Sequence, residues 1–146
     1  MAAKKTMAKQ DATSAAGALP VLPGEEPWTE AEVAEVRLEL TEAIEKLTGE
    51  IAHAEQDLAD LMRDFGEGAG DDEADSGAKQ YERDHEIALT NSARTLLAQD
   101  VEALARLDDG TYGICDNCGG PIGKARLQVA PRAVLCVACK TKQERR

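Results

Sequence analysis

The chain has 146 residues, a formal net charge of −11 and only 3% aromatic residues. This length allows about one ordinary domain, and so few aromatic side chains argue against a large globular core. Hydrophobic residues make up 42% of the chain, much of it alanine and leucine, and charged residues 31%, a mixture that favours long helices. The negative charge argues against non-specific binding to a DNA backbone. No segment approaches the roughly 18 consecutive apolar residues of a membrane span, so we expect a soluble cytoplasmic protein with no membrane partner.

Residues 1–24 are predicted to form a disordered tail. Lys4, Lys5 and Lys9 are dispersed among small residues, and prolines and a glycine follow before residue 25. Such a composition gives the segment no face to bury. We therefore expect a solvated arm; contact of its lysines with an acidic partner or nucleic acid is the alternative.

A first long helix is predicted to begin after Thr29, a good N-cap with Glu32 three residues on, as in a capping box. Apolar residues then alternate steps of three and four, the spacing of a heptad seam. The seam comprises Ile44, Leu47, Ile51, Ala54, Leu58, Leu61 and Phe65, with Val33, Val36 and Leu40 extending it backwards and Arg37 as the one misfit. Closely spaced glycines predict the end of the helix near Gly66.

A second helix is predicted to begin after Asp75 or Ser76 and to end at about Asp108. Its apolar stripe comprises Tyr81, Leu89, Ala93, Leu96, Leu97, Val101, Leu104 and Leu107. Because neither helix buries its seam alone and the connection is short, residues 25–110 should form an antiparallel helical hairpin, an intramolecular coiled coil. An intermolecular coiled coil is the competing interpretation, but the glycine-rich interruption favours a monomer.

The connection between the helices, residues 66–77, is the predicted tip of the hairpin. It contains glycines and five acidic residues but no lysine or arginine; the acidic residues are Glu67, Asp71, Asp72, Glu73 and Asp75. An acidic glycine-rich loop is usually only a solvated turn. At the far end of a long, rigid hairpin the same carboxylates could instead reach a site that a globular domain cannot enter. Both interpretations stay open.

All four cysteines lie in two Cys-x-x-Cys pairs, Cys115 with Cys118 and Cys136 with Cys139, at a spacing typical of a four-thiolate zinc site. Two disulfides would need an oxidising compartment, and a redox pair of thioredoxin type would need a βαβ pattern that the sequence lacks. Four thiolates leave no open position on the ion. We therefore predict one structural Zn²⁺ per chain, in a zinc finger at residues 111–146 that includes the start of a C-terminal helix.

The sequence carries no pattern typical of a specific reaction. It has no glycine-rich phosphate loop, no GxSxG and no HExxH. Neither His53 nor His85 has a second histidine or a cysteine at ligand spacing. We therefore expect that the protein is not an enzyme.

The run Gly-Thr-Tyr-Gly-Ile-Cys-x-x-Cys-Gly is followed by Ile122, Arg126-Leu127, Pro131 and a final Cys-x-x-Cys-Lys. Together these residues resemble the DksA/TraR family of C4-type zinc-finger proteins, and the resemblance extends back through both helices. It implies a bacterial transcription factor that binds RNA polymerase directly and not promoter DNA. It further implies that the coiled coil enters the polymerase's secondary channel, with acidic tip residues near the active centre.

The resemblance also assigns roles at the tip and at an alarmone site. The family's tip motif Asp-x-x-Asp-x-Ala corresponds to Asp72 and Asp75, with Gly77 in place of the alanine. Many members act with guanosine tetraphosphate (ppGpp), which a basic cluster on the second helix and after the last cysteine helps to bind. Leu96 and Lys140 match that set, whereas Ser92 and Gln99 replace its basic residues. Because a polyanion loses charge-assisted hydrogen bonds there, we predict little dependence on ppGpp.

Two other functions stay open. A zinc-dependent DNA-binding module is favoured by basic residues around and beyond the metal, namely Lys124, Arg126, Arg132, Lys140, Lys142, Arg145 and Arg146. A coiled-coil adaptor with no effect on transcription is the other. Specific DNA binding in the absence of polymerase would identify the DNA-binding module. Binding to polymerase with no effect in a transcription assay would identify the adaptor.

Overall fold

The computed structural model describes residues 16–67 and 73–145. Within them lie two long helices, α1 (Glu30–Glu67) and α2 (Glu73–Asp109), and two short ones, α3 (Lys124–Val129) and α4 (Val137–Glu144). The described residues contain no β-strand beyond an isolated antiparallel bridge between Ile114 and Pro121. None of the described helices is long and apolar enough to span a membrane.

Thr29 caps the start of α1, as the sequence predicts. Its hydroxyl accepts a hydrogen bond from the backbone N–H of Glu32 at 3.2 Å and donates one to the Glu32 carboxylate at 3.0 Å. The backbone N–H of Val33 continues the turn with a 3.1 Å bond to the Thr29 carbonyl. Several of the donors and acceptors at this helix end are thereby satisfied locally.

The described residues between 43 and 99, namely 43–67 and 73–99, form one compact unit, the helix-pair unit, in which the two long helices pair. The predicted α1 seam is confirmed there from Ile44 to Leu61: Leu47 and Ile51 are buried, and the other seam residues of this stretch are half-buried. The side chain of Phe65, the last predicted seam residue, lies outside those described. Glu55 of α1 forms an ion pair with Arg94 of α2. The predicted fold class, a mostly α protein with a long antiparallel hairpin and a C-terminal four-cysteine domain, is confirmed.

The predicted apolar stripe of α2 is wrong over part of its length. Tyr81 and Leu89 are 74% and 51% exposed, and Leu96 and Val101 are exposed as well. The inward positions in the helix-pair unit repeat by fours and threes through a mainly polar set, Lys79, Arg83, Glu86, Thr90, Ala93 and Leu97. The apolar residues of α2 are spread over adjacent helix faces. The residues that face α1 are therefore those at heptad spacing, whether or not they are apolar. Long polar side chains occupy such positions by packing their aliphatic stems.

The described residues 16–42 and 100–145 form a second compact unit, the finger unit. Its core is close-packed: Leu127 is fully buried, and Leu40 is 2% exposed. The buried members are Leu19, Trp28, Val36, Leu40, Ala103, Leu107, Tyr112, Cys115, Ile122, Leu127 and Cys139. The rings of Trp28 and Tyr112 meet edge to face with centroids 6.2 Å apart. The ends of both long helices thus share one core with the cysteine-bearing segment.

Residues 16–24 differ from the predicted disordered tail. Leu19 is buried in the core of the finger unit, and Val21 packs against that core. The backbone N–H of Leu22 donates to the Glu25 carboxylate at 2.8 Å. A few apolar residues between prolines are too short a run to show a period, yet they suffice to cover a core formed by other segments. Residues 1–15 lie outside the described residues.

α2 begins at Glu73, earlier than the predicted start after Asp75 or Ser76. Glu73 and Asp75 both lie in its first turn, where carboxylates interact favourably with the helix dipole. Gly77 consequently lies inside the helix and not in a loop. Asp72, the other predicted tip residue, lies outside the described residues.

Candidate metal centre

The four cysteines converge in the finger unit. Their sulfur atoms all lie within 4.8 Å of one another, and the Sγ atoms of Cys118 and Cys136 are 3.8 Å apart. A tetrahedral zinc ion with Zn–S bonds of about 2.3 Å spaces its sulfurs about 3.8 Å apart. Cys115 and Cys139 are buried, whereas Cys118 is exposed. Four thiols at this spacing are a donor set that fits one zinc ion.

A tight backbone turn presents the first pair. The backbone N–H of Cys115 donates to the Gly120 carbonyl at 2.8 Å, and the Gly119 N–H donates to the Cys115 carbonyl at 3.0 Å. Gly119 has a φ of +74°, in the left-handed region that favours glycine. The glycine that directly follows Cys118 therefore allows the turn to close.

The start of a helix presents the second pair. Cys136 is the N-cap of α4, and Cys139 lies in its first turn. The Lys140 N–H bonds to the Cys136 carbonyl at 2.9 Å. Residues three apart share a helix face, so this turn directs both sulfurs to the same side.

Hydrogen bonds to sulfur favour the thiolate form at Cys115. Burial raises the pKa of the Cys115 thiol, but the backbone N–H groups of Cys118, Cys136 and Asn117 outweigh burial and lower that pKa to about 6. The Cys136 N–H group is one of these donors, with its nitrogen 3.4 Å from the Cys115 sulfur. One member of the cluster is thus prepared to bind a cation as a thiolate.

Cys139 shows the opposite shift. The amide of Asn117 donates to its sulfur at 3.3 Å and lowers its pKa, but the neighbouring sulfurs, Cys136 first among them, and burial together raise that pKa to about 11. Four crowded sulfurs therefore do not all ionise on their own. A bound Zn²⁺ deprotonates coordinating thiols outright, and the cluster has the chemistry that such an ion requires.

The segment before Cys136 is fastened to the finger unit by two side chains. The Tyr112 hydroxyl donates to the Pro131 carbonyl at 2.7 Å. The guanidinium of Arg132 pairs with the Asp100 carboxylate of α2 at 3.0 Å and donates a second bond to it at 3.2 Å. Burial raises the pKa of Asp100, and Arg132 opposes that shift. These contacts support the metal centre without touching a sulfur.

Glu25 and Lys124 join the start of α3 to the segment before α1. The Glu25 carboxylate accepts hydrogen bonds from the N–H groups of Lys124 at 3.0 Å and Ala125 at 3.1 Å. The bond from Lys124 is the main reason why the pKa of Glu25 is lowered. The Lys124 ammonium pairs with Glu32 at 2.5 Å and lies 5.8 Å from the centre of the Trp28 ring.

The other predicted site residues lie apart from the cysteine cluster. Asp75 is exposed on α2, and Leu96 is 37% exposed on the same helix, in the helix-pair unit. Lys140 belongs to α4 in the finger unit, where its ammonium is 3.9 Å from the Glu144 carboxylate. Their assignment to a polymerase tip and an alarmone site stays a prediction.

Sequence reasoning missed the supporting residues Asp100, Arg132 and Glu25. In the sequence Arg132 is only one of several basic residues near the metal, and no pattern distinguishes Glu25. Asp100 continues the step of three after Leu97 in the α2 seam, which is the one sequence feature that could have indicated its burial. A buried aspartate at such a position predicts a basic partner, but not which one.

Comparison with known proteins places the chain in a family. Residues 110–145 match the model of the prokaryotic dksA/traR C4-type zinc finger. The RNA polymerase-binding transcription factor DksA of Escherichia coli is 32% identical over 122 residues, which cover 84% of this chain and 78% of that protein. The chain belongs to the DksA/TraR family.

Two further relatives agree with this membership. DksA of Caulobacter vibrioides is 37% identical over 75 residues, so the chain spans about half, 53%, of that relative. The solved structure of transcription factor DksA2 from Pseudomonas aeruginosa has a TM-score of 0.64 and 34% identity, over 80% of this chain and 85% of that one. The predicted family is confirmed, and the C4-type finger together with the four clustered cysteines identifies the cofactor as a structural zinc.

Proposed function

We propose that this protein is a transcription regulator that binds bacterial RNA polymerase directly. The observation that carries the proposal is the similarity over 78% of the Escherichia coli relative, a protein named for binding RNA polymerase. The solved relative, also named a transcription factor, matches over 85% of its length. Both similarities extend well beyond the zinc stretch, so they favour a shared function of the whole protein.

The zinc in this proposal is architectural, and its ligands are Cys115, Cys118, Cys136 and Cys139. Four sulfur ligands fill a tetrahedral zinc and leave no position for water or substrate. The ion's role is to hold the two cysteine pairs together beside the core of the finger unit. This closed coordination is consistent with a regulator in which zinc has no catalytic role.

The hairpin is the element that would enter the secondary channel of the polymerase. α1 and α2 have 38 and 37 residues, about 55 Å each at 1.5 Å per residue. Asp75 is exposed in the first turn of α2, and Asp72 lies three residues before it. We infer that these two carboxylates act near the active centre, either on its magnesium ions or on polymerase loops around it.

The structure weakens the alternative of a DNA-binding module. Lys124 pairs with Glu32, and its side chain is only 13% exposed. Arg132 pairs with the buried Asp100, and the Arg126 side chain donates to the Leu135 carbonyl at 3.1 Å. Basic groups committed to internal acceptors contribute little to phosphate contacts. Three of the seven cations that suggested DNA binding, Lys124, Arg126 and Arg132, therefore have structural roles.

Little dependence on ppGpp is part of the proposal. Ser92 and Gln99 supply no positive charge where the family resemblance calls for one. Lys140, the basic residue that remains, has the Glu144 carboxylate of its own helix as a neighbour. A single partly neutralised cation provides a weak site for a polyanion.

The proposal is tested with zinc-loaded protein, purified bacterial RNA polymerase and a promoter template. A pull-down measures binding, and run-off transcription with and without ppGpp measures the effect. We expect direct binding, a changed initiation rate and less than about twofold further change with ppGpp. Binding without any effect on transcription would support the adaptor. Salt-sensitive gel shifts without polymerase would support the DNA-binding module.

A further inference from the structure

We propose that Asp100 and Tyr112 are positioning residues of the metal site, which hold the second cysteine pair in place before zinc binds. The proposal does not depend on polymerase binding. It concerns the segment from Ala130 to Cys136, which connects α3 to the second pair. This segment is held in position by contacts between atoms that are not metal ligands. Its position therefore does not depend on zinc alone.

The anchors follow one another closely along the segment. The Pro131 carbonyl accepts the Tyr112 hydroxyl at 2.7 Å, and Arg132 holds Asp100 through contacts at 3.0 and 3.2 Å. The carbonyl of Leu135, directly before the first ligand of the pair, accepts a bond from Arg126 at 3.1 Å. The backbone is thus constrained near its start and immediately before Cys136.

The Asp100 anchor is the strongest of these. The side chain of Asp100 is 1% exposed, and Arg132 is the partner that its carboxylate contacts. A buried carboxylate that loses its basic partner is strongly disfavoured. Displacement of the segment would create that state, so the ion pair resists displacement whether or not zinc is present.

Because the anchored segment leads directly into Cys136, its anchors also restrict the position of the second cysteine pair. With Cys136 and Cys139 already near their final positions, zinc binding has to order mainly the turn of Cys115 and Cys118. Preorganised ligands bind more tightly because less ordering is required at the binding step. Loss of a group hydrogen-bonded to a metal ligand typically weakens the metal affinity about 10- to 100-fold, and Asp100 acts one step further from the ligands, so we expect the lower end of that range.

The test compares zinc affinities by competition with a chromophoric chelator at fixed pH. Asp100→Asn keeps the shape of the side chain and removes its charge. The matched control is Asp108→Asn, also on α2 and also in an aspartate–arginine pair, with Arg37 at 2.7 Å. That pair is exposed and lies outside the segment. We expect about tenfold weaker zinc binding for Asp100→Asn and less than about twofold change for the control.

A second measurement uses the single tryptophan of the chain, Trp28, which is 3% exposed in the core of the finger unit. After zinc is removed by chelation, wild-type protein should keep the emission and the acrylamide protection of a buried indole. Asp100→Asn should lose both when metal-free. Exposure of Trp28 in metal-free wild-type protein would overturn the proposal, since the anchors would then depend on zinc.

Tyr112→Phe keeps the test decisive if Asp100→Asn does not fold. It removes one hydroxyl from the core and leaves the ring in place. A smaller loss of zinc affinity in the same direction supports the proposal. Equal zinc affinity in wild type and Tyr112→Phe, or in Asp100→Asn and Asp108→Asn, refutes it.

Discussion

The helix-pair unit and the finger unit are stabilised in different ways. The helix-pair unit depends on one seam, apolar on α1 but mainly polar on α2, with exposed leucines beside it. The finger unit combines a continuous buried core, the ion pair of Asp100 with Arg132, and a structural zinc. Regions with few buried apolar contacts open most easily, so the two units should differ in local stability.

The two kinds of stabilisation suit different roles in the proposed function. In the proposed function the helix-pair unit must fit a channel, so its surface matters more than its core. The finger unit must keep the two long helices together at one end, so its interior matters more. Substitutions that act on stability and substitutions that act on regulation should therefore separate between the two units, and the following predictions test that separation.

The largest effect should come from the metal ligands. Cys118→Ser replaces an exposed sulfur, and we expect bound zinc to fall from about one per chain to nearly none, because three sulfurs do not complete the tetrahedron. The helical circular-dichroism signal should remain mostly unchanged, since the helix-pair unit has no ligand. Zinc analysis after gel filtration measures the loss.

A control for this substitution lies between two ligands. Val137→Ser changes a side chain that is 60% exposed next to Cys136, and it should retain full zinc. Loss of zinc in both variants would mean that any polar change near the cluster disrupts it. Full zinc in Cys118→Ser would contradict the four-sulfur site.

The next effect compares one core leucine from each unit. Leu127→Ala removes a fully buried side chain from the finger unit, and we expect a loss of about 3–5 kcal/mol in the free energy of unfolding. Leu58→Ala, at a half-buried seam position, should cost about 1–2 kcal/mol. Denaturant unfolding of the zinc-loaded proteins measures both. Equal losses would show that the two units are equally well packed.

The success of sequence reasoning also divides between the two units. The α1 seam, the Thr29 cap and the four-cysteine cluster were predicted correctly, because each follows from spacing along a single segment. The α2 seam was partly wrong because its inward positions are polar, and such positions are selected by the partner helix. Glu25, Asp100 and Arg132 were missed because their roles depend on contacts between segments far apart in the chain.

The third prediction concerns the tip and should have a small effect on affinity. Asp72→Asn with Asp75→Asn keeps shape and polarity but removes two negative charges. Because the flanks of the hairpin should supply most of the contact, the Kd for polymerase should change by less than about tenfold, or 1.4 kcal/mol. The lifetime of promoter complexes should no longer respond to the protein. Binding and lifetime assays on the same preparation measure the two effects.

The matched control for the tip uses acidic residues outside the motif. Glu67→Gln with Asp71→Asn removes the same charge from the same stretch and should leave regulation largely intact. If both double variants lose regulation equally, the bulk charge of the tip is what acts. Wild-type regulation by the Asp72 and Asp75 variant would restore the interpretation of residues 66–77 as a solvated turn.

The smallest effect should come from Gly77, which occupies the alanine position of the family's tip motif. Gly77 lies in the first turns of α2, and a Cβ added there meets no atom within 4 Å. Gly77→Ala should therefore stabilise this part of the helix by about 1 kcal/mol, the difference in helix propensity between the two residues. Slower amide exchange in residues 75–80 would measure this gain in helix stability.

Gly49→Ala is the control, because Gly49 lies within α1 and a Cβ added there also meets no atom within 4 Å. Both variants should gain stability, but only Gly77→Ala should strengthen regulation, since it holds Asp75 more firmly. Equal effects of the two variants on transcription would mean that order at the start of α2 does not limit the activity of the tip.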